Sequence, residues 1–238
     1  MSSQVPPNRS IRSFVLRQGR ITAAQKHALE HGWPRYGLDP KTPFQPEIVF
    51  GRLAPLIVDI GFGNGDNLAA NAQNNPDNNY IGIEVHKPGI GHLMNLLDNR
   101  KIDHVRVFHG DAMDILKDTI ADESIAGINL FFSDPWPKKR HHKRRLVSPE
   151  FAELIVRKLK SGGFFHAATD WADYAIQIIQ LLEARRELQN VTNHASSQEL
   201  IAQRSMTRFE KRGLSLGHPI SDIIFQKHAN RDSVLHKH

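Results

Sequence analysis

The chain has 238 residues, 39% hydrophobic and 24% charged, with a net charge of +6 and no cysteine. That length and balance fit one large soluble α/β domain, and the missing cysteine excludes disulfides, thiolate metal sites and a cysteine nucleophile. No apolar run approaches the roughly 18 residues of a membrane span, and the N-terminus lacks the apolar core of a secretory signal, though its Arg-rich, acid-free start up to Glu30 is compatible with a transit peptide.

Residues 1–10 carry Pro6-Pro7 and small polar residues and are expected to be disordered. Residues 1–35 read as a basic, partly disordered arm, with Arg9, Arg12, Arg17, Arg20 and Lys26, in front of a single domain over 36–238. Residues 54–60 predict a strand, followed by Gly61-Phe62-Gly63-Asn64-Gly65 and a helix over 66–74 that Pro76 ends. Residues 80–85 predict a second strand. A helix near 88–99 follows, with Ile90, Leu93, Met94 and Leu97 at helical spacing. Strands follow over 105–108 and 128–132. Ser148-Pro149 starts a helix expected to run to Lys160, where Gly162-Gly163 stop it. A strand over 164–169, a helix over 171–186 and a last strand over 222–227 complete the reading. Strands alternating with helices imply parallel βαβ units, so the fold class is α/β, doubly wound, with an N-terminal extension.

The most informative stretch is Ser133-Asp-Pro-Trp-Pro-Lys-Lys-Arg-His-His-Lys-Arg-Arg145. An apolar strand delivers a carboxylate, Asp134, to a rigid Pro-Trp-Pro, and eight residues with six Lys/Arg and two His follow. Strand ends are where open α/β sheets place their chemistry, and a dense cationic run binds phosphates. The pairing predicts an active site beside a nucleic-acid grip. No His-Glu-x-x-His occurs, and adjacent His141-His142 diverge on most backbones, so no metal is expected.

Asp59-x-Gly61-x-Gly63-x-Gly65 lies between a strand and a helix, where glycines let the backbone turn tightly and approach a ligand. The third glycine comes one position early for a dinucleotide loop, and Asp66 at the helix start opposes a pyrophosphate, which disfavours NAD and a dehydrogenase. Glu84, 19 residues after Gly65, suits ribose hydroxyls. Asp111 suits an adenine amino group, and Asp59 an ammonium. Four acids (59, 84, 111, 134) at four successive strand ends fit S-adenosylmethionine. The pattern resembles class I methyltransferases.

More narrowly, the chain resembles bacterial tRNA (guanine-N7-)-methyltransferases. The resemblance rests on Arg12-Ser-Phe-Val-Leu-Arg-Gln-Gly-Arg20, Asp59-Ile-Gly-Phe-Gly-Asn-Gly65, Gly82-Ile-Glu-Val-His86, the 133–145 block, Ala168-Thr-Asp-Trp171 and Thr207-Arg-Phe-Glu210. The glycine loop is common to many methyltransferases; the Asp-Pro-Trp-Pro-Lys block and Thr-Arg-Phe-Glu are far more specific. The first-strand acid, often Glu in that family, is Asp59 here, which shifts a contact. The resemblance implies a Rossmann-like, mostly parallel seven-stranded sheet. It also implies methylation of guanine N7 in the tRNA variable loop (position 46) to 7-methylguanosine, with S-adenosylmethionine as cofactor. Asp134 is then the catalytic residue, and Asp59, Gly61, Gly63, Glu84, Asp111 and Asp134 hold the cofactor. Lys138, Asp170, Thr207, Arg208, Phe209 and Glu210 contact substrate, and Arg140, His141, His142, Lys143, Arg144 and Arg145 hold RNA phosphates. Asp170 could instead cap the helix after it, and Trp136 could be plain packing. Removing the charges of Arg144 and Arg145 is expected to weaken tRNA binding and spare cofactor binding.

Two rivals remain from the sequence. An amino-group methyltransferase would carry (Asp/Asn)-Pro-Pro-aromatic, whereas here the aromatic is displaced to Trp136 and Pro137 follows it. A non-catalytic RNA-binding protein on the same scaffold would be expected to lack a strand-end acid or loop glycine, and none is missing. The expected setting is the cytoplasm, with tRNA as partner, no membrane and no metal, as a monomer or homodimer.

Overall fold

A computed structural model of the chain describes residues 21–204, 210 and 219–229. The first described element is a helix, α1 (Ala23–Tyr36), opened by a capping box in which Thr22 accepts from Gln25 N and the Gln25 side chain accepts from Thr22 N. Next come β1 (Gly37–Leu38), α2 (Pro46–Phe50), β2 (Leu56–Ile60), α3 (Asp66–Asn74), β3 (Asn79–Glu84), α4 (Lys87–Asn99), β4 (Val105–His109) and α5 (Ala112–Asp118). They lead into β5 (Ile125–Phe131), a 3-10 helix over Lys139–Arg144, α6 (Pro149–Lys158), β6 (Leu159–Thr169) and α7 (Ala172–Glu183). The last elements are β7 (Leu188–Asn190), α8 (Ala195–Gln203) and β8 (Ser221–Lys227).

The strands form one sheet in the order β1-β4-β3-β2-β5-β6-β8-β7, parallel except for β8, which runs antiparallel to β6 and β7. Eight strands stand where seven were expected. The extra one is the two-residue β1, which pairs Gly37 and Leu38 with Val107 and Phe108 of β4 at the sheet's edge. β2 and β3 are buried at every position, as strands covered on both faces must be. Their side chains alternate between two cores. Leu56, Val58 and Ile60 join one core with Phe151, Ile155 and Ile178, while Ile57 and Tyr80 join the other with Leu93, Met94 and Leu97. Strand order reverses between β2 and its neighbours β3 and β5, so a crevice opens at the carboxyl ends of these strands, where open α/β sheets bind ligands.

Two sequence expectations change in physical terms. From Ala23 onward the supposed arm is helix: Ala28, Trp33 and Tyr36 pack into the core that holds Ile90, Leu93 and Met94. A Cβ at Gly91 would lie 2.5 Å from Gln25 O, so that glycine lets α1 and α4 approach closely. And Gly162-Gly163 do not stop the preceding helix. α6 ends at Lys158 because Leu159 already pairs with Ile125, and the glycines lie within β6 at a register shift. Gly162 there has a φ of +75°, and a Cβ on Gly163 would meet the Lys160 and Ile125 carbonyls.

Candidate active site

The loop between β2 and α3 is held by left-handed glycines, with φ of +67° at Gly61, +59° at Gly63 and +80° at Gly65. Gly61 N donates to Ile83 O at 2.8 Å, and Gly65 N donates to Phe62 O at 2.9 Å. Beyond the Cα of Gly61 and of Gly63 there is open space to 4 Å, so a ligand can lie directly on this backbone. Glu84, at the end of β3, fixes the loop's shape: its Oε2 accepts from Gly63 N at 2.9 Å, and its Oε1 accepts from Val85 N and His86 N at 2.7 and 2.9 Å. A carboxylate offers about four acceptor positions, and three are taken. The sequence assigned Glu84 to a sugar; its first task here is to pin the glycine loop, with one position left for a hydroxyl.

Asp59 lies on β2 with 2% of its surface exposed, and its Oδ2 is buried without a hydrogen-bond partner. Burial, reinforced by the Glu84 charge, pushes its carboxyl up to about 8. A lone buried acid in that state fits a cationic ligand group, which would supply the missing partner. Asp111 caps α5, its Oδ1 accepting from Met113 N at 3.0 Å. Next to Glu84 across the sheet is His109, one wall of a cavity of about 270 Å³ that is also lined by Leu29, Glu30, Trp33, Lys87 and Ile90. An open glycine backbone, a strand-end acid with one acceptor position left and a buried carboxyl with an unpartnered oxygen together fit S-adenosylmethionine.

Asp134 is exposed just beyond β5. The chain around it is conformationally strained: Phe132 and Trp136 have φ of +54° and +44°, which side chains other than glycine rarely adopt. Three contacts hold the bend. Phe132 N donates to Ala168 O at 2.8 Å, Ser133 Oγ donates to Tyr174 Oη at 3.3 Å, and Arg145 Nε donates to Pro135 O at 2.7 Å. Trp136 lies under the Arg144 guanidinium at 5.0 Å and edge-on to His141 at 5.8 Å, so it joins the bend to the basic helix. Asp170 follows β6, partly exposed. It does not cap α7: the N-cap there is Trp171, without a side-chain cap, and Trp171 N donates to Thr169 Oγ1.

Lys138, Lys139, Arg140 and Lys143 are exposed on or beside the 3-10 helix, and His141, His142 and Arg144 are half-buried. Arg145 is different. Only 4% of it is exposed, it donates to Gln177 Oε1 and to Asp173 Oδ2 as well as Pro135 O, and it lies 5.0 Å from the Tyr174 ring centre. The expectation that Arg145 grips phosphate is corrected, because its guanidinium is enclosed by groups that shape the Asp134 bend. Glu210 is buried, its carboxylate bound by both terminal nitrogens of Arg204 at 2.6 and 2.8 Å. Thr207, Arg208 and Phe209 lie outside the described residues, as does the Arg12–Arg20 segment.

A family model described as "Putative methyltransferase" matches residues 53–223. A tRNA (guanine-N(7)-)-methyltransferase of Methylococcus capsulatus is 54% identical over 93% of this chain and 96% of its own. Proteins of the same name from Xanthomonas campestris and Nitrosococcus oceani are 49% and 48% identical, over 94% and 92% of this chain and 88% and 92% of theirs. The chain belongs to the tRNA (guanine-N(7)-)-methyltransferase family. Among solved structures, an antibiotic-related methyltransferase is similar with a TM-score of 0.51 at 19% identity, covering 80% of this chain and 98% of that one, which bears on the fold alone.

Within this family member, the structure gathers Asp59, Gly61, Gly63, Glu84 and Asp111 along the strand ends of β2 to β4, and Asp134 and Asp170 along those of β5 and β6. Sequence reasoning missed three supporting residues. A Cβ on Gly89 would lie 2.0 Å from Gly63 O, so α4 can press against the ligand loop only because residue 89 is glycine. Tyr174, fully buried, takes part in hydrogen bonds with Ser133 Oγ and Val147 N beneath the Asp134 bend. Arg204 engages Glu210 and Asp222. Only Gly89 had a visible signal, as one of two glycines inside an otherwise regular helical pattern.

Proposed function

We propose that the chain transfers a methyl group from S-adenosylmethionine to N7 of a guanine in the variable loop of tRNA. The carrying observation is 54% identity, over 93% of the chain, to a relative of that named activity. The strand-end acids agree with it. S-adenosylmethionine supplies an electrophilic methyl group on a cationic sulfur. Gly61 and Gly63 would let it lie close to the backbone, Asp59 would hold its ammonium, and the remaining acceptor position of Glu84 would take a ribose hydroxyl. Guanine N7 already carries an in-plane lone pair, so no side chain need remove a proton before attack. The protein's work is alignment and charge stabilisation: methylation leaves positive charge on the ring, and Asp134, beside it, favours that charge. Lys138 suits guanine O6, and Asp170, free of a capping task, suits its N1–H and amino group. Arg140, Lys143 and Arg144, with His141 and His142, then meet the RNA backbone. A buried variable-loop base must be extruded to reach this pocket, and the cytoplasm is where such a substrate is met.

The test is methyl transfer from labelled S-adenosylmethionine to unmodified tRNA, then borohydride reduction and aniline cleavage. Scission at a single variable-loop guanine, lost in Asp134→Ala with cofactor binding unchanged, is the expected result. Label without scission would move the target to an exocyclic amine. No label despite tight tRNA binding would make the chain a binder only.

A further inference from the structure

The cluster behind the active site is built around one arginine that no reading of the motifs singles out. Arg204 follows α8, and its side chain is 5% exposed. Its Nε and one terminal nitrogen donate to Asp222 Oδ1 and Oδ2 at 3.0 and 3.1 Å. Its two terminal nitrogens donate to Glu210 Oε2 and Oε1 at 2.6 and 2.8 Å. Thus one guanidinium forks two carboxylates at once, a geometry for which lysine has no equivalent. The same guanidinium lies 5.7 Å from the ring centres of both Phe131 and Phe132. Phe131 ends β5 and Phe132 is the left-handed residue two positions before Asp134.

Asp222 in turn is fixed. It pairs with Ala168 across the sheet and accepts from His166 Nε2 at 2.7 Å. Burial pushes its carboxyl up, but the His166 and Arg204 hydrogen bonds outweigh this and hold it below the usual carboxylate range. His166 closes the ring of contacts by meeting Phe131 edge-on at 4.9 Å. An anchor on β8, a fork at its centre, and two aromatic rings at and just beyond the end of β5 therefore meet at one guanidinium.

We infer that Arg204 is a positioning residue for methyl transfer, clamping Glu210 to the strand end that leads into Asp134. The inference rests on the tRNA-methyltransferase reading and adds to it how Glu210 and the Asp134 carboxylate are kept in register. The hydrogen bonds and ring contacts of Arg204 go to Asp222, Glu210, Phe131 and Phe132, so its effect is directed at the Asp134 end of the site.

The test compares wild type, Arg204→Lys, Glu210→Gln and the double variant. S-adenosylmethionine dissociation constants, single-turnover methyl transfer at saturating tRNA and thermal unfolding are measured for each. We expect cofactor affinity within about twofold of wild type and a transfer rate lowered by about tenfold to a hundredfold, the cost of roughly an ångström of misplacement. Because the two residues act as one unit, the double variant should be no slower than the slower single variant. Rates that fall multiplicatively, or cofactor affinity that falls as far as the transfer rate, would overturn the inference. Should the Arg204 variants fail to fold, Asp222→Asn loosens the same fork from its other side and leaves Glu210 in place. An unchanged transfer rate in that variant overturns the inference equally. Wild-type protein that transfers no methyl group to tRNA would instead overturn the underlying reading.

Discussion

At the scale of single residues, charge state and burial set the consequences. The folded state holds a proton on Asp59 that the unfolded chain releases near its ordinary value of 3.8. Stability from this group is therefore present in full below about pH 4 and declines as pH rises to about 8, where the folded-state carboxyl ionises. Asp59→Asn removes the penalty. At pH 9 the ligand-free variant should melt higher than wild type by about 5 °C or more, given that 1 kcal/mol moves Tm by about 2–4 °C in a domain this size; at pH 4 the two should nearly coincide. Calorimetry across that range checks it, and a wild type that is the more stable at pH 9 would contradict it. The same variant should bind S-adenosylmethionine less tightly yet bind an analogue lacking the amino group equally well. Arg144 and Arg145 separate in the same way. Arg145→Ala unmakes three hydrogen bonds inside the fold and should cost about 2 kcal/mol of stability along with tRNA affinity. Arg144→Ala should weaken tRNA binding and leave the melting temperature within about 1 °C, being a partly exposed site.

At the scale of elements, the ligand loop is a joint product of β2, β3 and α4. Its conformation needs glycines at 61, 63 and 65, its anchor is Glu84, and its floor is Gly89. Adding a methyl group at residue 89 sets a carbon 2.0 Å from a backbone oxygen, so helix or loop must move. Gly89→Ala should cost about 1–3 kcal/mol by overpacking and weaken cofactor binding more than tRNA binding. Equal loss for both ligands would mean that the helix, rather than the loop, had given way. The glycine loop, the strand-end acids and the helix over 66–74 were legible in the sequence because each obeys a local rule: turn chemistry, strand period, capping. α1 was read as arm because its residues, among them Gly32, Pro34 and several charged groups, show a weak apolar stripe. What makes it a helix in place is its capping box and its packing along α4. α5 and α8 were missed because seven and nine residues carry too little pattern to outweigh loop-like composition.

At the scale of the whole molecule, the net charge of +6 makes association with polyanions favourable, and its distribution decides where. Residues 1–20 contribute Arg9, Arg12, Arg17 and Arg20. Deleting them should leave the melting temperature and cofactor affinity unchanged. It should flatten the slope of log Kd for tRNA against log salt by up to about 3, at about 0.7 per phosphate released. Filter binding between 50 and 200 mM salt reads this directly, and an unaltered slope would place those charges away from the RNA. No helix among the described residues is long and apolar enough to cross a membrane.

The sequence by itself determined the alternation of the central strands with their main helices, the glycine loop, the acids at the strand ends and the family, because these are encoded in contiguous stretches whose chemistry is local. The tertiary structure alone decided which charges face outward. Arg145 and Arg144 are adjacent in the chain, yet one is enclosed by Pro135, Asp173 and Gln177 while the other rests on Trp136. Asp59 and Asp134 are both strand-end acids, yet one is buried without a partner and the other exposed. Burial and pairing depend on segments far apart in sequence, such as Arg204 with Asp222 and Gly89 with Gly63, and no local pattern carries that information.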